Sequence, residues 1–170
     1  ACLNLAGSEN TAGSARLWYE AGAFPGSPVQ AGAMTVLAPY ALDHFSIEGF
    51  DVVVNKPKTA AYRAPGAPIG SFGVESCMDE LAAVLKIDPL KLREINGAKD
   101  GTKATHGVTW NNIGYQKTLE AARASEHLKT PLGPNQGRGI AAGFWFNFGG
   151  QTCVSLNVNI DGTVALAVGT

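Results

Sequence analysis

The hydrophobic residues of this chain follow a helical spacing in its middle and an extended spacing towards its end. In the segment 69–86 apolar residues recur at intervals of three and four, which predicts an amphipathic helix; they are Val74, Cys77, Met78, Leu81 and Leu85. In the segments 154–160 and 164–168 apolar residues alternate with polar or small ones, which predicts two β-strands. The chain is therefore expected to combine helices with strands.

Shorter signals indicate the other elements. The carboxylate of Asp88 can accept a hydrogen bond from the first turn of a helix, and Pro89 suits the first helical position. We expect this short helix to end near Asn96, with Gly97 in a left-handed conformation. The remaining predicted elements are a short strand from Leu17 to a Gly/Pro turn, a strand over 45–54 with a bend at Glu48-Gly49, a helix over 31–41 that Pro39 stops or kinks, and a helix over 113–128 with Leu119, Ala122 and Leu128 on its inner face.

The register of the two last strands can be derived from their side chains. A two-residue loop would pair Asn159 with Val164 and mix polar and apolar residues on one face. A three-residue loop over 160–162 keeps the apolar residues together, pairing Val158 with Val164, Leu156 with Leu166 and Val154 with Val168. A slip of one residue turns every side chain to the opposite face, so we favour the three-residue loop, with Gly162 in a left-handed conformation.

Length and composition favour one globular unit. The chain has 170 residues, of which 45% are hydrophobic and 16% are charged, and its net charge is -1. A long enough chain with few charges can bury a core, and the near-neutral charge gives no reason to expect nucleic acid or a membrane as partner. We predict an α+β fold in which helices pack on a mixed β-sheet. The linker-like segment 130–137 divides it into a first portion, 1–130, and a hairpin portion, 138–170.

Cysteine, histidine and acidic residues give weak signals. Three cysteines without C-x-x-C spacing make a metal site within the chain improbable, and Cys77 and Cys153 are expected to be buried thiols in a reducing cytoplasm. The three histidines, His44, His106 and His127, are expected to be solvated. The neighbouring carboxylates Asp79 and Glu80 are expected to lie on the polar side of their helix.

The loop from Val54 to Pro68 is the most informative stretch of the sequence. It contains few large side chains, its prolines hold the preceding residues away from helical angles, and Gly66 permits close approach of another group. Such a loop offers backbone N–H groups to a ligand, although most loops only connect elements. Arg63 in its middle can be a surface residue, a tie between loop carbonyl groups, or a group that faces an anion.

The amino-acid sequence of this loop and of the segments after it resembles that of the molybdenum-binding subunit of the xanthine dehydrogenase, aldehyde oxidase and carbon monoxide dehydrogenase family. The matching segments are Asn55-Lys56, Ala61-Tyr62-Arg63-Ala64-Pro65-Gly66-Ala67-Pro68, Met78-Asp79-Glu80-Leu81-Ala82 and Ile87-Asp88-Pro89-Leu90-Lys91-Leu92-Arg93. Their order and spacing all agree with the family pattern. The resemblance implies a molybdopterin-binding domain, and for Arg63 it favours the tie and the anion-facing role.

The resemblance also implies roles for individual residues. Arg63 and Ala64 would line the molybdenum centre, with Arg63 as the catalytic candidate, and Pro65 would form part of the substrate wall. Members that oxidise carbon monoxide carry cysteine where this chain has Ala64, so that reaction is not expected. Purine oxidisers carry an upstream arginine that the segment 31–33 lacks, which argues against a purine. Gly169 and Thr170 resemble the opening of a pterin-binding segment.

Residues 143–150 contain four aromatic side chains within five positions. Alternation along an extended chain prevents all of them from entering one core. They belong either to a sheet buried on both faces or to an apolar substrate funnel. The family resemblance implies the second, with Phe144, Phe146 and Phe148 as substrate contacts.

We expect the chain to be a fragment of a longer protein, because it starts with Ala-Cys-Leu and stops at a barely completed strand. The resemblance implies a hydroxylase that oxidises a small carbonyl or heteroaromatic substrate, with water as the oxygen source. Its expected partners are the remainder of the molybdenum subunit and modules with a 2Fe-2S cluster and FAD. The chain alone is expected to be inactive and to self-associate. The alternative is a truncated, non-catalytic binding or oligomerisation module.

Overall fold

The computed structural model describes residues 2–6, 9–146 and 151–169 and contains five helices and five strands within them. The strands are β1 (Cys2–Ala6), β2 (Glu9–Gly22), β3 (His44–Val53), β4 (Cys153–Val158) and β5 (Val164–Gly169). The helices are α1 (Val29–Thr35), α2 (Ala67–Leu85), α3 (Pro89–Asn96), α4 (Tyr115–Ala124) and α5 (Glu126–Lys129). Within the described residues, no helix has both the length and the apolar character to cross a membrane.

The first three strands form a mixed sheet in the order β1-β2-β3, which confirms the predicted α+β class. Strand β2 pairs antiparallel with β1 and parallel with β3, and α1 lies in the connection between the parallel strands. The bend predicted at Glu48-Gly49 is wrong, because β3 runs straight through and Gly49 pairs with Leu17. Gly49 instead makes room for α1, since a Cβ there would lie 2.9 Å from Cγ2 of Val29.

The hydrophobic core lies between the sheet and helices α1 to α3. The predicted apolar face of α2 is confirmed, with Val74 and Met78 fully buried and Leu81 and Leu85 packed at the margin of the core. The helix predicted over 31–41 is shorter than expected, because it ends at Thr35, well before Pro39. The buried residues of the core are Ala15, Val36, Leu37, Tyr40, Val74, Met78, Ala82 and Leu92.

Helix α3 has the predicted start and a different end. The Asp88 carboxylate accepts a hydrogen bond from the Lys91 N–H at 2.8 Å, as expected of an N-cap. Gly97 is extended, with φ −68° and ψ 143°, so the predicted left-handed cap is wrong. The glycine is required by close packing, since a Cβ would lie 2.7 Å from the Arg93 carbonyl oxygen and from the Tyr115 ring.

The single helix predicted over 113–128 is interrupted. Ser125 adopts ψ 144°, which ends α4, and its hydroxyl accepts a hydrogen bond from the Leu128 N–H at 3.3 Å as the N-cap of α5. Serine followed by Glu126 was a usable N-cap signal in the sequence. Leu119 is buried as predicted, whereas Leu128 is half-buried.

A buried ionic cluster, formed by Arg93, Glu75, Asp79 and Tyr40, joins α2, α3 and the segment before β3. The Arg93 Nε donates to Glu75 Oε2 at 2.8 Å, and Nη2 donates to Asp79 Oδ1 at 2.9 Å. The Tyr40 hydroxyl donates to Glu75 Oε1. Arg93 is 0% exposed. Asp79 is exposed, as expected for the polar side of its helix, and its carboxylate in addition completes the pairing of the buried Arg93 guanidinium.

The hairpin of β4 and β5 has the predicted register. Val158 pairs with Val164, Leu156 with Leu166 and Val154 with Val168, and Gly162 has φ 80°. All described side chains of both strands are exposed, including the six large aliphatic ones on a single face. Cys153 is likewise exposed, so its predicted burial is wrong, and Cys77 is half-buried. Burial had been inferred from residue type, but all described residues of the hairpin, on both faces, are exposed.

Replacing Arg93 by methionine should lower the free energy of unfolding by about 3–5 kcal/mol, because the buried Glu75 carboxylate loses its counter-charge. Urea denaturation followed by far-UV circular dichroism measures this change. The matched control is Arg123→Met, which removes an exposed arginine paired with Glu94 and Asp88. It should cost at most about 1 kcal/mol. Equal losses in the two variants would contradict a special role for the buried cluster.

Stability should fall as the pH rises above 10. Burial, followed by the negative charge of Glu75, raises the pKa of Tyr40 and of Tyr115 above the ordinary value of 10.0. The unfolded chain therefore loses these protons first, and stability falls by about 1.4 kcal/mol per pH unit for each tyrosine. Urea denaturation between pH 8 and pH 12 measures the slope, which should be smaller in Tyr40→Phe. An identical slope in that variant would contradict the assignment.

Candidate functional site

The Arg63 loop, defined as residues 60–66, is held at both ends by the sheet. At its start, the Thr59 N–H donates to the Ala21 carbonyl oxygen at 3.0 Å. At its end, the Tyr19 hydroxyl donates to the Gly66 carbonyl oxygen at 2.6 Å, and burial raises the pKa of this tyrosine. The loop is thus a connection with fixed ends and an exposed middle.

The backbone of the Arg63 loop is strained. Arg63 has φ 27° and Ala64 has φ 52°, which are unfavourable values for residues with a Cβ. Each such residue costs about 1–3 kcal/mol and persists only where the surroundings enforce it. Gly66, with φ 86°, is required, because a Cβ there would overlap the carbonyl oxygen of Pro28. Strain of this kind is concentrated at ligand-binding positions.

The Arg63 loop contains several unpaired hydrogen-bond donors. The backbone N–H groups of residues 60–64 and of Gly66 donate to no acceptor among the described residues. Arg63 is exposed, and its guanidinium makes no hydrogen bond or ion pair within the described part of the chain. It therefore does not tie the loop backbone together, and the surface and anion-facing roles remain. Ala64 and Pro65 are half-buried beside it.

The donor set of the Arg63 loop fits an anionic group such as molybdopterin. Unpaired N–H groups and a free guanidinium are the donors that bind oxyanions. Helix α2 begins directly after Gly66, so the positive end of its dipole lies at the loop, and its first turn contains no acidic residue. Arg63 and Ala64 are the residues that could hold the cofactor there.

The aromatic cluster consists of His106, Trp110, Phe144 and Phe146. The Phe144 ring centroid lies 4.9 Å from that of Trp110, 5.2 Å from that of Phe146 and 5.8 Å from that of His106. Residues 141–146 form no strand, so the buried-sheet interpretation fails for the part of this stretch that the structure describes. Phe144 and Phe146 are half-buried, whereas the predicted substrate residue Phe148 lies outside the described residues.

His106 differs from the prediction of a solvated histidine. Its ring is half-buried, and its Nδ1 atom is buried without a partner among the described residues. His106 and Thr105 line one end of a cleft of about 280 Å³ whose other walls come from α1 and β3. The spacing His106-x-x-x-Trp110 in a loop was the only signal in the sequence. His44 and His127 are exposed as expected.

Glu75 connects helix α2, which begins directly after the Arg63 loop, to the segment that carries Phe144, and sequence reasoning missed it. Its Oε2 accepts a hydrogen bond from the Ala142 N–H at 2.6 Å, two residues before Phe144, while Oε2 and Oε1 also bind Arg93 and Tyr40. Its position beside Val74 and three residues before Met78 could have identified it, because a charged residue next to an apolar helix face requires a buried partner.

The remaining predicted cofactor residues are not part of this arrangement. Gly169 lies at the exposed end of β5, and Thr170 lies outside the described residues. The part of the chain that the structure describes contains no group of three His, Cys, Asp or Glu residues arranged to hold a metal ion.

Comparison with known proteins shows the family of this chain. A model of the "Molybdopterin cofactor-binding domain" matches residues 9–97. The nicotinate dehydrogenase large molybdopterin subunit of Eubacterium barkeri is 35% identical over 88 residues, which is 51% of this chain and 21% of that protein. The xanthine dehydrogenase molybdenum-binding subunit of Escherichia coli is 36% identical over 70 residues, covering 41% of this chain and 9% of that protein.

Solved structures agree with the fold. The aldehyde oxidoreductase of Desulfovibrio desulfuricans superimposes with a TM-score of 0.73 and 26% identity, over 94% of this chain and 19% of that one. The aldehyde oxidoreductase of Desulfovibrio gigas gives a TM-score of 0.69 at 22% identity over the same shares, which supports the fold alone. The chain spans about a fifth of the length of the nicotinate dehydrogenase subunit and of these two structures.

The family match includes the strained Arg63 loop and the strands and helices around it, namely β2, α1, β3, α2 and α3. Because the match extends over residues 9–97 of a 170-residue chain, more than half of it, the chain belongs to the molybdopterin cofactor-binding domain family of xanthine dehydrogenases and aldehyde oxidases.

Proposed function

We propose that this chain is part of the catalytic subunit of a molybdenum-cofactor-dependent oxidoreductase that oxidises a small carbonyl or heteroaromatic substrate with water as the oxygen source. The observation that carries the proposal is the Arg63 loop, with its strained backbone and unpaired donors at the start of α2. The names of two relatives agree with these substrate classes, since one is a nicotinate dehydrogenase and another an aldehyde oxidoreductase.

Molybdopterin, when bound, supplies the two-electron redox chemistry. The guanidinium of Arg63 and the N–H groups around Ala64 bind and orient negative charge at the cofactor. Strain at these two residues favours this role, because a loop fixed in advance loses little conformational freedom on binding. Gly169 and Thr170 are proposed as further cofactor contacts on the family resemblance alone.

The aromatic cluster is proposed as the substrate funnel. Phe144 and Phe146 provide flat apolar surfaces for a small aromatic or carbonyl compound, and His106 provides a polar edge. Pro65, within the Arg63 loop, provides a small wall, and Phe148 completes the proposed set; both roles are proposed on the family resemblance. Among the proposed substrate residues that the structure describes, Phe144 and Phe146 support this role through their ring contacts within the aromatic cluster.

The whole protein is proposed to contain further parts. The remaining residues of the molybdenum subunit, together with modules that carry a 2Fe-2S cluster and FAD, would complete cofactor binding and electron transfer. The chain alone is proposed not to turn over substrate, since it spans about a fifth of the nicotinate dehydrogenase subunit that it resembles. The exposed apolar face of the β4–β5 hairpin is proposed to pack against the rest of the subunit.

The second candidate function is a non-catalytic binding or oligomerisation module. The apolar face of the hairpin favours it, because an isolated two-stranded hairpin is only marginally stable and gains stability by packing. Cofactor retention separates the two candidates. The oxidoreductase requires molybdopterin to bind near Arg63, whereas the module requires only the hairpin.

Replacing Arg63 by glutamine should lower the amount of molybdopterin that copurifies with the chain from cells that produce this cofactor. Removing a hydrogen bond to a charged group costs about 1.5–3 kcal/mol, which corresponds to a loss of affinity of about tenfold or more. Pterin fluorescence after denaturation and molybdenum mass spectrometry measure the content. Arg16→Gln, at an exposed arginine paired with Glu48, is the matched control. A wild-type chain without pterin or molybdenum would favour the non-catalytic module.

The isolated chain should self-associate through the hairpin. Placing lysine at both Leu156 and Leu166, which face each other across the strands, should reduce the self-association because charge is then buried at the contact. Sedimentation velocity at micromolar concentrations measures the effect. Lysine at Asn157, on the opposite face, is the control and should leave the assembly unchanged. A monomeric wild-type chain would contradict the proposed contact.

A further inference from the structure

The segment that carries Phe144 forms few hydrogen bonds with the rest of the described protein. Residues 139–144 lie outside regular secondary structure, and in the described part of the chain they form no backbone–backbone hydrogen bond. Before this segment, the Arg138 guanidinium donates to the carbonyl oxygens of Leu128, at 3.0 Å, and Thr130, at 2.7 Å. Within the segment, the backbone hydrogen bond nearest to Phe144 is the one from the Ala142 N–H to Glu75.

The acceptor of this bond is held rigidly. Glu75 is buried, and its two carboxylate oxygens bind Arg93 and Tyr40 in addition to Ala142. Arg93 is itself held by a hydrogen bond from Nη1 to the Pro89 carbonyl oxygen at 3.0 Å. Because both oxygens are occupied, rotation of the carboxylate would break at least two charge-assisted hydrogen bonds. The oxygen that receives the Ala142 N–H therefore has a defined position.

The same helix carries the Arg63 loop. Helix α2 begins at Ala67, directly after the loop, and Glu75 lies eight residues further, about 12 Å along the helix axis. A helix of this length behaves as a rigid rod. A continuous set of connections, through α2, Glu75 and Ala142, therefore fixes the position of Phe144 relative to the Arg63 loop. The two ends of this connection are far apart in the sequence.

We propose that Glu75 is a positioning residue that sets the aromatic cluster relative to the Arg63 loop through the hydrogen bond from Ala142. The buried ionic cluster has two roles under this proposal. Arg93 and Tyr40 stabilise the fold, and Oε2 of Glu75 also accepts the hydrogen bond from the Ala142 N–H, in the segment that carries Phe144. The link to substrate binding rests on the proposed function. The positioning itself is independent of it.

The experiment removes the N–H donor and leaves the buried cluster intact. Ala142→Pro deletes the donor, whereas Ala141→Pro makes the same change one residue earlier, where the N–H has no partner among the described residues. Ala142→Gly retains the N–H and serves as the conservative variant. All variants are made in the Trp18→Phe background, so that the two remaining tryptophans, Trp110 and Trp145, report on the cluster and its immediate neighbour.

Two readouts follow positioning and function separately. Tryptophan emission and near-UV circular dichroism report the packing of the aromatic cluster, and quenching by added quinoline reports binding of a flat heteroaromatic probe. We expect Ala142→Pro to shift the emission to longer wavelength, to reduce the near-UV signal, and to weaken quinoline binding about five- to tenfold, the order of one lost aromatic contact. Ala141→Pro and Ala142→Gly should resemble the parent.

The outcomes are distinguishable. An unchanged near-UV signal in Ala142→Pro, or an equal loss in Ala141→Pro, would overturn the positioning role. A changed signal without quinoline binding by any variant supports the positioning role and counts against the proposed function. Far-UV circular dichroism checks that Ala142→Pro is folded. If it is not, lactic acid in place of Ala142 exchanges only the N–H for an ester oxygen, and the same two outcomes then apply to that variant.

Discussion

The buried pairing of Arg93 with Glu75 is the interaction on which the rest of this structure depends. A guanidinium that is completely removed from water is tolerated only when its donors have acceptors, and Arg93 finds them in Glu75, Asp79 and the carbonyl group of Pro89. The pairing fixes α2 against α3. Since Glu75 also binds Tyr40 and Ala142, the same charge pair holds segments that precede β3 and follow α5.

This rigid body permits the strain in the Arg63 loop. Two consecutive residues with a Cβ and positive φ would relax in a free peptide, but the Thr59 and Tyr19 hydrogen bonds and the close contact of Gly66 with Pro28 fix both ends. The N–H groups of residues 60–64 have no acceptor among the described residues. A loop prepared in this way suits an anionic cofactor, in agreement with the family to which the chain belongs.

The two parts of the proposed site come from distant parts of the chain. The Arg63 loop belongs to the portion that matches the family model, whereas Phe144 and Phe146 lie beyond it. The contact between Glu75 and Ala142, 67 residues apart, joins the helix that follows the loop to the segment that carries Phe144. The hairpin contributes differently, because its apolar face remains exposed and suits packing against another part of the protein.

The sequence alone determined features that depend on neighbouring residues. The buried face of α2, the N-cap Asp88 and the hairpin register all follow from spacing or turn geometry. The loop motif and the segments after it were together sufficient to identify the family. Tertiary structure alone decided the straight path at Gly49, the extended Gly97 and the partly buried position of His106. It also decided the partners of Glu75, because each of these depends on contacts with residues distant in the chain, which local patterns do not encode.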